Sequence, residues 1–384
     1  MHDGIVDVTL SKFWLIFFIA LLVLVPLREP RLRSLAWAAI NIVFLRAVLL
    51  PAHYIIVLAA LVLLYGLIQA LRVHFLSAVA KTALITLILG LFLVHKFPAL
   101  PWPEPSRMIL TAVGFSYVAL RIADLLRAVF EKRHPVPGFA ALVNYIVPFH
   151  MLAAGPIQSY EEFINQTQKP APLTMLQTLT YTERIAWGLF KKFVLAYSLQ
   201  KVFLTGFHVP GWYFVVEAQL FYVWLYLDFS ALSDLAVGIG GLLGLATPEN
   251  FDRPFLARNM INFWERWHIS LSQFIRRNLY IPMQLALIRR TSGRFPLWCA
   301  SLAFLVSFAL CGIWHGGTLR FLLWGVLNAV GLIITNLYRY YLTRSLGPKG
   351  MKRYLANKPI RVLATVVTFE FVAFSLAFMQ APSL

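Results

Sequence analysis

The stretch Phe295–Leu319 reads FPLWCASLAFLVSFALCGIWHGGTL and contains no Asp, Glu, Lys or Arg. About 20 consecutive apolar residues are enough for a helix to cross the hydrocarbon core of a bilayer, so we interpret this stretch as a membrane span. His315 lies near its end and is followed by two glycines, which let another backbone or a ligand come close. An ionisable side chain inside a span is costly to bury, which makes His315 the first candidate for a functional residue.

The composition of the whole chain agrees with this interpretation. Of its 384 residues, 60% are hydrophobic and only 13% are charged, whereas soluble domains carry about 25% charged residues. Long apolar runs predict helices, because a membrane β-barrel shows short segments of alternating polarity. We therefore predict an all-α polytopic membrane protein with one membrane domain over residues 1–384. Within it we expect N-terminal helices in 1–135, a motif-bearing core in 136–345 and a C-terminal helix in 346–384.

The hydropathy pattern and its breaks locate the candidate spans. The first apolar run lacks a small-residue cleavage site, so we expect a retained helix there and not a signal peptide. The stretch 139–155 is short for a full crossing and is interrupted by Pro148, which makes it a candidate re-entrant segment. The spans are predicted at residues 12–27, 35–50, 51–71, 77–97, 108–130, 139–155, 174–206, 211–227, 230–246, 296–314, 319–341 and 360–381.

The chain is strongly basic, with a formal net charge of +18. Such a charge is typical of nucleic-acid binding, but Lys and Arg also accumulate in the cytoplasmic loops of membrane proteins, and the second interpretation fits this composition better. We therefore predict no nucleic-acid partner. Basic loops do attract anionic membrane lipid and acidic soluble proteins.

The two cysteines, Cys299 and Cys311, share one apolar span. Twelve residues of helix separate them by about 18 Å, which is too far for a disulfide within that helix. They also lack the spacing of a zinc site, so we predict neither a disulfide framework nor a bound metal.

A second histidine lies in the stretch Arg258–Arg277, which mixes apolar and charged residues at helical spacing. A helix with that much charge does not face lipid, so we expect it at the membrane interface or along a polar interior funnel. His268 is on the apolar side and is expected to point toward protein. The residues that share this face are Ile261, Trp264, His268, Leu271 and Ile275.

The segment Leu279–Arg290 is too short to span a bilayer and is apolar with a basic end. One interpretation is a surface helix that docks an acidic partner. The alternative is an interfacial helix that anchors the chain to the membrane. The residues predicted to receive the partner are Pro282, Met283, Leu285, Ile288, Arg289 and Arg290.

Several ordered motifs between residues 140 and 340 together resemble the membrane-bound O-acyltransferases, in particular their bacterial branch. Each motif is weak by itself, and their joint order carries the resemblance. They are Ala154–Gln158, Gly188–Lys192, the block Asp228–Asp234, Pro248–Phe251, Trp264–Ser272 and Trp314–Gly316.

Two departures separate the chain from the alginate-acetylating members of that branch. Tyr280–Pro282 is not followed by the glycine-glycine-asparagine-arginine run of those members, and the chain ends soon after Thr368–Ser375. Both features make it more similar to the members that transfer D-alanyl groups in teichoic-acid alanylation. In those members the helix after the Tyr-Ile-Pro motif receives the carrier protein.

The resemblance implies a fold and a reaction. The fold is a ring of about 11–13 transmembrane and interfacial helices around a thin central wall, with a funnel on each face. A phosphopantetheine thioester on an acidic acyl carrier protein is the implied donor, with no permanently bound cofactor. The implied acceptor is a hydroxyl of an envelope glycopolymer or of a periplasmic acyltransferase partner. A small single-span membrane protein is a further possible partner, and the location is the cytoplasmic membrane, with several passes.

The predicted roles follow from this chemistry. Histidine has an ordinary pKa near 6.5 and suits proton transfer, so His315 is predicted to accept the proton of the attacking hydroxyl. A tetrahedral oxyanion needs hydrogen-bond donors, and His268, Trp267 or Ser270 would supply or orient them. Spacing alone does not rank these three. The predicted catalytic residues are His315 and His268, and the predicted substrate-binding residues are Trp264, Trp267, Ser270, Trp314 and Asp228.

Structural alternatives accompany these assignments. His315 and His268 would instead be an interior histidine and an interfacial histidine without a catalytic role. For Asp228 a structural hydrogen bond or salt bridge is the favoured interpretation. The competing functions are an exopolysaccharide O-acetyltransferase, a transporter and a scaffold that passes the acyl group to another enzyme. Transporters usually contain internal repeats, and this sequence shows none.

Overall fold

A computed structural model describes residues 11–73, 90, 114–131, 135–152, 155–167, 173–204, 211–245 and 247–380. These residues form helices and connecting loops, with one isolated β-bridge between Phe251 and Trp267. The α-helices are α1 (Ser11–Leu24), α2 (Pro30–Val48), α3 (Pro51–Val73), α4 (Phe115–Phe130), α5 (Phe139–Ile146), α6 (Tyr160–Thr167), α7 (Met175–Phe190), α8 (Tyr197–Phe203), α9 (Trp212–Leu242), α10 (Met260–Trp264), α11 (Ile269–Ile275), α12 (Ile281–Arg290), α13 (Pro296–His315), α14 (Leu319–Ala356) and α15 (Lys358–Gln380).

Five of these helices are long and apolar enough to cross a membrane: α3, α9, α13, α14 and α15. The prediction of an all-α polytopic membrane protein is therefore confirmed for the part of the chain that the structure describes. Apart from residue 90, the predicted span 77–97 lies outside the described residues, as do residues 108–113 of the span 108–130. The ring with its wall and funnels stays a prediction, and so does the single domain with its three parts.

One long helix replaces two predicted spans. The sequence predicted a break between 211–227 and 230–246, but α9 continues through Asp228 and Asp234. Lys192 forms a salt bridge with Asp228, and Arg184 forms one with Asp234 at 2.9 Å. A paired carboxylate does not have to leave the apolar environment, so the prediction of two helices was wrong.

The chain separates into two compact units, and the first comprises residues 1–189 and 231–248. Its core contains a buried amide pair, in which Asn41 donates to Asn144 at 3.0 Å and accepts from the backbone N–H of Phe149. The fully buried Arg121 donates to the backbone carbonyls of Ile146 and Met151. The bond to Ile146 satisfies a carbonyl that α5 frees where it ends before Pro148, the interruption that the sequence predicted.

The second unit comprises residues 190–230 and 249–384. Its central feature is the close packing of α13 on α14. A side chain on Gly312 would lie 2.2 Å from the carbonyl oxygen of Phe321, and one on Gly325 would lie 2.2 Å from that of Phe308. Because both positions are glycine, the two backbones approach each other more closely than larger residues would allow.

The stretch Arg258–Arg277 is not the continuous helix that its spacing predicted. It consists of α10, a turn, and α11, and His268 in the turn has the left-handed backbone angles φ 43° and ψ 52°. The polar residues Glu265 and Arg266 leave the helix, and the turn is held by a neighbouring loop. His268 is nevertheless buried, as its apolar surroundings predicted.

Further irregularities occur along the helices of this unit. A π-helical turn, Arg276–Tyr280, joins α11 to α12. Gly347 interrupts α14 with φ 63° and ψ 177°, a conformation that glycine adopts easily and that Pro348 follows. The hydroxyl groups of Tyr338 and Tyr354 meet across this break at 2.9 Å.

Candidate active site

His315 is the last residue of α13 and is half-buried. Its imidazole packs against the edge of the Trp324 ring, with centroids 5.0 Å apart and an interplanar angle of 86°. The neighbouring Trp314 ring is 4.7 Å away on another side. Gly316 ends the helix, and any side chain there would collide with the Phe321 ring. The absence of a side chain at Gly316 therefore leaves room for α14 beside the imidazole.

His268 lies in the turn between α10 and α11 and is only 2% exposed. Phe229 of α9 contacts its ring edge-on at 4.7 Å, and the Trp314 ring lies 6.4 Å away. Trp314 thus contacts both imidazoles. The structure brings together the two histidines that are 47 residues apart in the sequence, in one aromatic cluster.

A loop that precedes α10 fixes the left-handed turn. The backbone carbonyl of Asn250 accepts from Ile269 N–H at 3.0 Å, and its side-chain oxygen accepts from the Ser270 hydroxyl at 2.6 Å. Asp252 N–H donates to the carbonyl of Arg266 at 3.0 Å. These bonds hold His268 on both sides, which offsets the strain of a side chain with positive φ.

The electrostatic environment keeps His268 neutral. Burial and the positive charge of His315 lower the pKa of His268 well below its ordinary value of 6.5. Among the described residues, no hydrogen-bond partner reaches its Nδ1 atom. A neutral imidazole with an open ring nitrogen can donate a proton to one ligand atom or accept one from it.

The other predicted residues of this region have different surroundings. Ser270 is buried, and its hydroxyl donates a hydrogen bond to the side-chain oxygen of Asn250. Trp267 stacks on Phe263 with centroids 5.7 Å apart, in the interior of the unit. Trp264 packs edge-on against Phe308 at 4.9 Å. Ser270 therefore already has a protein partner, whereas none lies within reach of His268 Nδ1 among the described residues.

Asp228 is engaged in a salt bridge with Lys192. Two residues further along α9, the Ser230 hydroxyl accepts from the ammonium of Lys191 at 2.9 Å. This arrangement matches the structural interpretation of Asp228, a salt bridge. The substrate-binding role of Asp228 stays a prediction.

Two residues of the site were missed by the sequence analysis. Trp324 of α14 contacts both His315 and Trp264, the latter at 6.1 Å. The indole N–H groups of Trp264 and Trp324 are buried and have no hydrogen-bond partner among the described residues. Asn250 lies in the motif Pro248–Phe251, but its hydrogen bonds to the turn that contains His268 become visible only in the structure.

The predicted docking residues lie on α12 and differ in how far they are exposed to solvent. Leu285 is 47% exposed, and Pro282 is exposed as well. Met283 and Ile288 are half-buried, while Arg289 and Arg290 are exposed at the end of the helix. The chain has no Asp or Glu from Arg266 to Phe369, so no acidic residue of this long segment neutralises the basic end of α12.

The structure adds two observations on metals and cysteines. In the described ranges, no group of three or more His, Cys, Asp and Glu side chains is arranged to hold a metal ion. Cys299 and Cys311 are both buried and are free thiols.

Comparisons with known proteins find relatives of similar length and longer ones. The chain is 26% identical to teichoic acid D-alanyltransferase of Bacillus subtilis over 305 residues, which cover 76% of this chain and 75% of the relative. It is 29% identical to peptidoglycan O-acetyltransferase of Helicobacter pylori over 256 residues, covering 64% and 44%. With the probable alginate O-acetylase of Pseudomonas aeruginosa it shares 27% identity over 286 residues, covering 72% and 50%.

A family model extends over most of the sequence. The model described as the membrane-bound O-acyltransferase family matches residues 39–375. This range includes both histidines, α12 and all the motifs on which the resemblance was based. The protein therefore belongs to the membrane-bound O-acyltransferase family.

Proposed function

We propose that the chain transfers a D-alanyl group from the phosphopantetheine thioester of a carrier protein to a hydroxyl group of the cell envelope. The observation that carries this proposal is the meeting of His268 and His315 on the Trp314 ring, next to the end of an apolar helix. The relatives named teichoic acid D-alanyltransferase support the choice of acyl group, because this chain covers about three quarters of their length.

In the proposed reaction His315 acts as the general base. It accepts the proton of the acceptor hydroxyl while that oxygen attacks the thioester carbonyl. The resulting tetrahedral intermediate carries its negative charge on the former carbonyl oxygen. The C–S bond then breaks, an ester remains on the acceptor, and the thiolate takes up the proton from His315 to leave as a free thiol.

His268 is the proposed stabiliser of the oxyanion. Its neutral state and its open Nδ1 atom support this role, because a neutral imidazole can hold a proton on that nitrogen and donate it in a hydrogen bond. The indole N–H groups of Trp264 and Trp324 are further donors in the same cluster. The aromatic cluster around the two histidines is therefore also proposed to contact the acyl donor.

The proposed donor is presented by an acidic carrier protein that docks on α12 from the cytoplasm. The apolar side chains Pro282 and Leu285 are exposed there beside Arg289 and Arg290, a combination that suits an acidic protein with a small apolar contact surface. The proposed acceptor is an envelope polymer or a periplasmic acyltransferase partner on the other face of the cytoplasmic membrane.

Reconstitution tests the proposal directly. The purified chain in lipid vesicles would be combined with a D-alanyl-loaded carrier protein and a polyol acceptor, and the ester would be detected by mass spectrometry. We expect His315→Ala to lower the transfer rate by at least about 100-fold, the usual contribution of general-base catalysis, without changing the thermal unfolding midpoint. Full transfer by His315→Ala would remove His315 from the role of base.

O-acetylation is the second candidate function. It is favoured by the 29% identity to a peptidoglycan O-acetyltransferase, although this chain spans less than half of that relative's length. The same vesicles, supplied with acetyl-loaded and D-alanyl-loaded carrier at equal concentration, separate the two. Preferential formation of the acetyl ester would overturn the D-alanyl proposal and leave the role of His315 intact.

A further inference from the structure

A cavity in the first unit is lined by side chains to which the proposed acyl transfer assigns no role. It has a volume of about 600 Å³ including its open mouth, and it forms between α2, the turn at Phe149–Met151 and the end of α9. Polar and aromatic side chains line it together. The lining side chains include Arg33, Trp37 and His150.

His150 lines this cavity and has a ring nitrogen without a hydrogen-bond partner among the described residues. The Thr247 hydroxyl donates to the carbonyl of Leu245 at 3.4 Å, so its oxygen is left to accept from His150 Nε2 at 3.3 Å. A neutral imidazole that carries its proton on Nε2 has a lone pair on Nδ1. This Nδ1 atom is buried and has no hydrogen-bond partner in the described part of the chain.

Trp37 lines the same cavity and has a second polar atom of this kind. Its ring lies 6.3 Å from the ring of His150, centroid to centroid, and is 4% exposed. The indole Nε1–H is buried and likewise finds no partner among the described residues. A hydroxyl group has the chemistry to pair with both atoms, because its oxygen can accept from Nε1–H while its proton can go to Nδ1. Buried donors and acceptors are costly when left unsatisfied, so a ligand that pairs with both gains affinity.

Arg33 supplies positive charge at the cavity wall. It donates to the backbone carbonyls of Leu24, Leu27 and Leu243, which use three of its five N–H groups. No carboxylate of the described residues forms a salt bridge with it. A guanidinium with free N–H groups and no acidic partner is a strong site for a phosphate oxygen.

We propose that this cavity binds a phosphate ester that carries a nearby hydroxyl group. Arg33 would bind the phosphate, and Trp37 with His150 would bind the hydroxyl. This chemistry occurs in the head group of phosphatidylglycerol and in soluble glycerol phosphates. The proposed site uses none of the residues to which the acyl-transfer reaction is assigned.

Native mass spectrometry of the full chain in an uncharged detergent tests it. The probes are phosphatidylglycerol, phosphatidic acid as a phosphate without the glycerol hydroxyls, and phosphatidylcholine, all with the same acyl chains. We expect phosphatidylglycerol to bind best. Trp37→Phe removes only the indole N–H and should weaken phosphatidylglycerol binding about fivefold, while it leaves phosphatidic acid binding unchanged.

A pair of charge variants provides the control. Arg33→Gln should weaken the binding of both phosphatidylglycerol and phosphatidic acid, whereas Arg31→Gln, an exposed arginine on the same helix, should weaken neither. Thermal unfolding midpoints show whether each variant is folded, and Trp37→Phe remains informative if Arg33→Gln is not.

The source of the ligand is read from competition with glycerol 3-phosphate. If glycerol 3-phosphate displaces the lipid and binds alone, the site takes the soluble ester. If it does neither while phosphatidylglycerol binds, the site takes the lipid. Equal binding of phosphatidylglycerol and phosphatidylcholine, or unchanged phosphatidylglycerol binding by Trp37→Phe, would overturn the proposal.

Discussion

His268 combines two costly properties in a single residue. Its backbone lies in the left-handed region, and its imidazole is almost completely buried. Asn250 offsets the first cost through bonds to the next two residues of the turn. The second cost depends on pH, because only the neutral ring fits its surroundings.

Replacing this imidazole should change how stability depends on pH. The pKa of His268 is lowered in the folded state, so its contribution is fully present above about pH 6.5 and is lost as the pH falls and the unfolded chain takes up the proton. The loss approaches about 1.4 kcal/mol per pH unit below that value. His268→Asn tolerates the left-handed backbone and does not titrate, so we expect it to lose less stability than the wild type between pH 7 and pH 5.

Thermal unfolding in detergent across this pH range measures the difference. His150 remains in both proteins and cancels in the comparison. Parallel curves for the wild type and His268→Asn would show that the imidazole is protonated in the folded chain and contradict the prediction.

Trp324 offers a second test at the residue scale. Trp324→Phe keeps an aromatic ring beside His315 and removes the indole N–H that has no protein partner among the described residues. If this N–H binds the oxyanion, kcat should fall by about 10- to 100-fold, the usual value of a hydrogen bond to a charged group, with little change in KM. Steady-state kinetics in vesicles measure both. Trp298→Phe, an exposed tryptophan of α13, serves as the control.

The contrast between His315 and Trp324 explains what sequence can predict about this site. An ionisable residue in an apolar run stands out by composition, and His315 was selected in this way. His268 was selected from a stretch of mixed polarity and from the motif Trp264–Ser272. A tryptophan in an apolar helix does not stand out, because most such residues only fill space. Its importance depends on the distance between two helices, which hydropathy does not encode.

At the scale of elements, the crossing of α13 and α14 positions the site. Gly312 and Gly325 face each other where the helices touch, and a methyl group on either would lie 2.2 Å from a backbone oxygen of the other helix. Trp324 is next to Gly325 in sequence, so the crossing sets its distance from His315.

Gly325→Ala should therefore separate the helices and disturb the site. Overpacking of this kind costs about 1–3 kcal/mol of stability, and misplacement of Trp324 should reduce the transfer rate as well. Gly66→Ala is the matched control, because a side chain there meets no atom within 4 Å and alanine favours a helix. Thermal unfolding and transfer assays on both variants give the result. Equal behaviour of the two would contradict a close crossing.

The element-level predictions succeeded where hydropathy was uniform and failed where polar side chains found partners. The predicted spans at 296–314 and 51–71 agree closely with α13 and α3. The break predicted in α9 was wrong because Lys192 neutralises Asp228 from a distant part of the sequence. The helix predicted across Arg258–Arg277 was wrong because the loop at Asn250 pairs with the turn, a contact between residues that periodicity treats separately.

At the scale of the whole molecule, charge is distributed unevenly along the chain. The net charge is +18, and the long segment Arg266–Phe369 contains basic residues but no acidic ones. Such an excess attracts an acidic partner over a distance and speeds its arrival, an effect that salt screens.

Carrier docking should therefore depend on salt and on the end of α12. Raising the ionic strength from about 0.05 to 0.5 M should raise the KM for the carrier severalfold, because the Debye length falls, and should leave kcat nearly unchanged. Arg289→Glu with Arg290→Glu should raise KM at low salt and flatten its salt dependence. Arg353→Glu, an exposed residue of α14, is the control. A KM independent of salt would exclude an acidic carrier.

The aromatic residues of α13 and α14 indicate how deep His315 lies. Trp298 near the start of α13 and Tyr338 late in α14 are exposed, and such residues settle at the head-group layer. About 28 Å of helix separates Tyr338 from Leu319, close to the hydrocarbon thickness of about 30 Å. His315 is therefore expected near the opposite leaflet. The helix α12, which comes just before α13, is expected at the same head-group layer as Trp298 and Tyr338. In the proposed reaction, a donor that arrives at α12 would travel most of the membrane's thickness to His315, while the acceptor would have only a short approach.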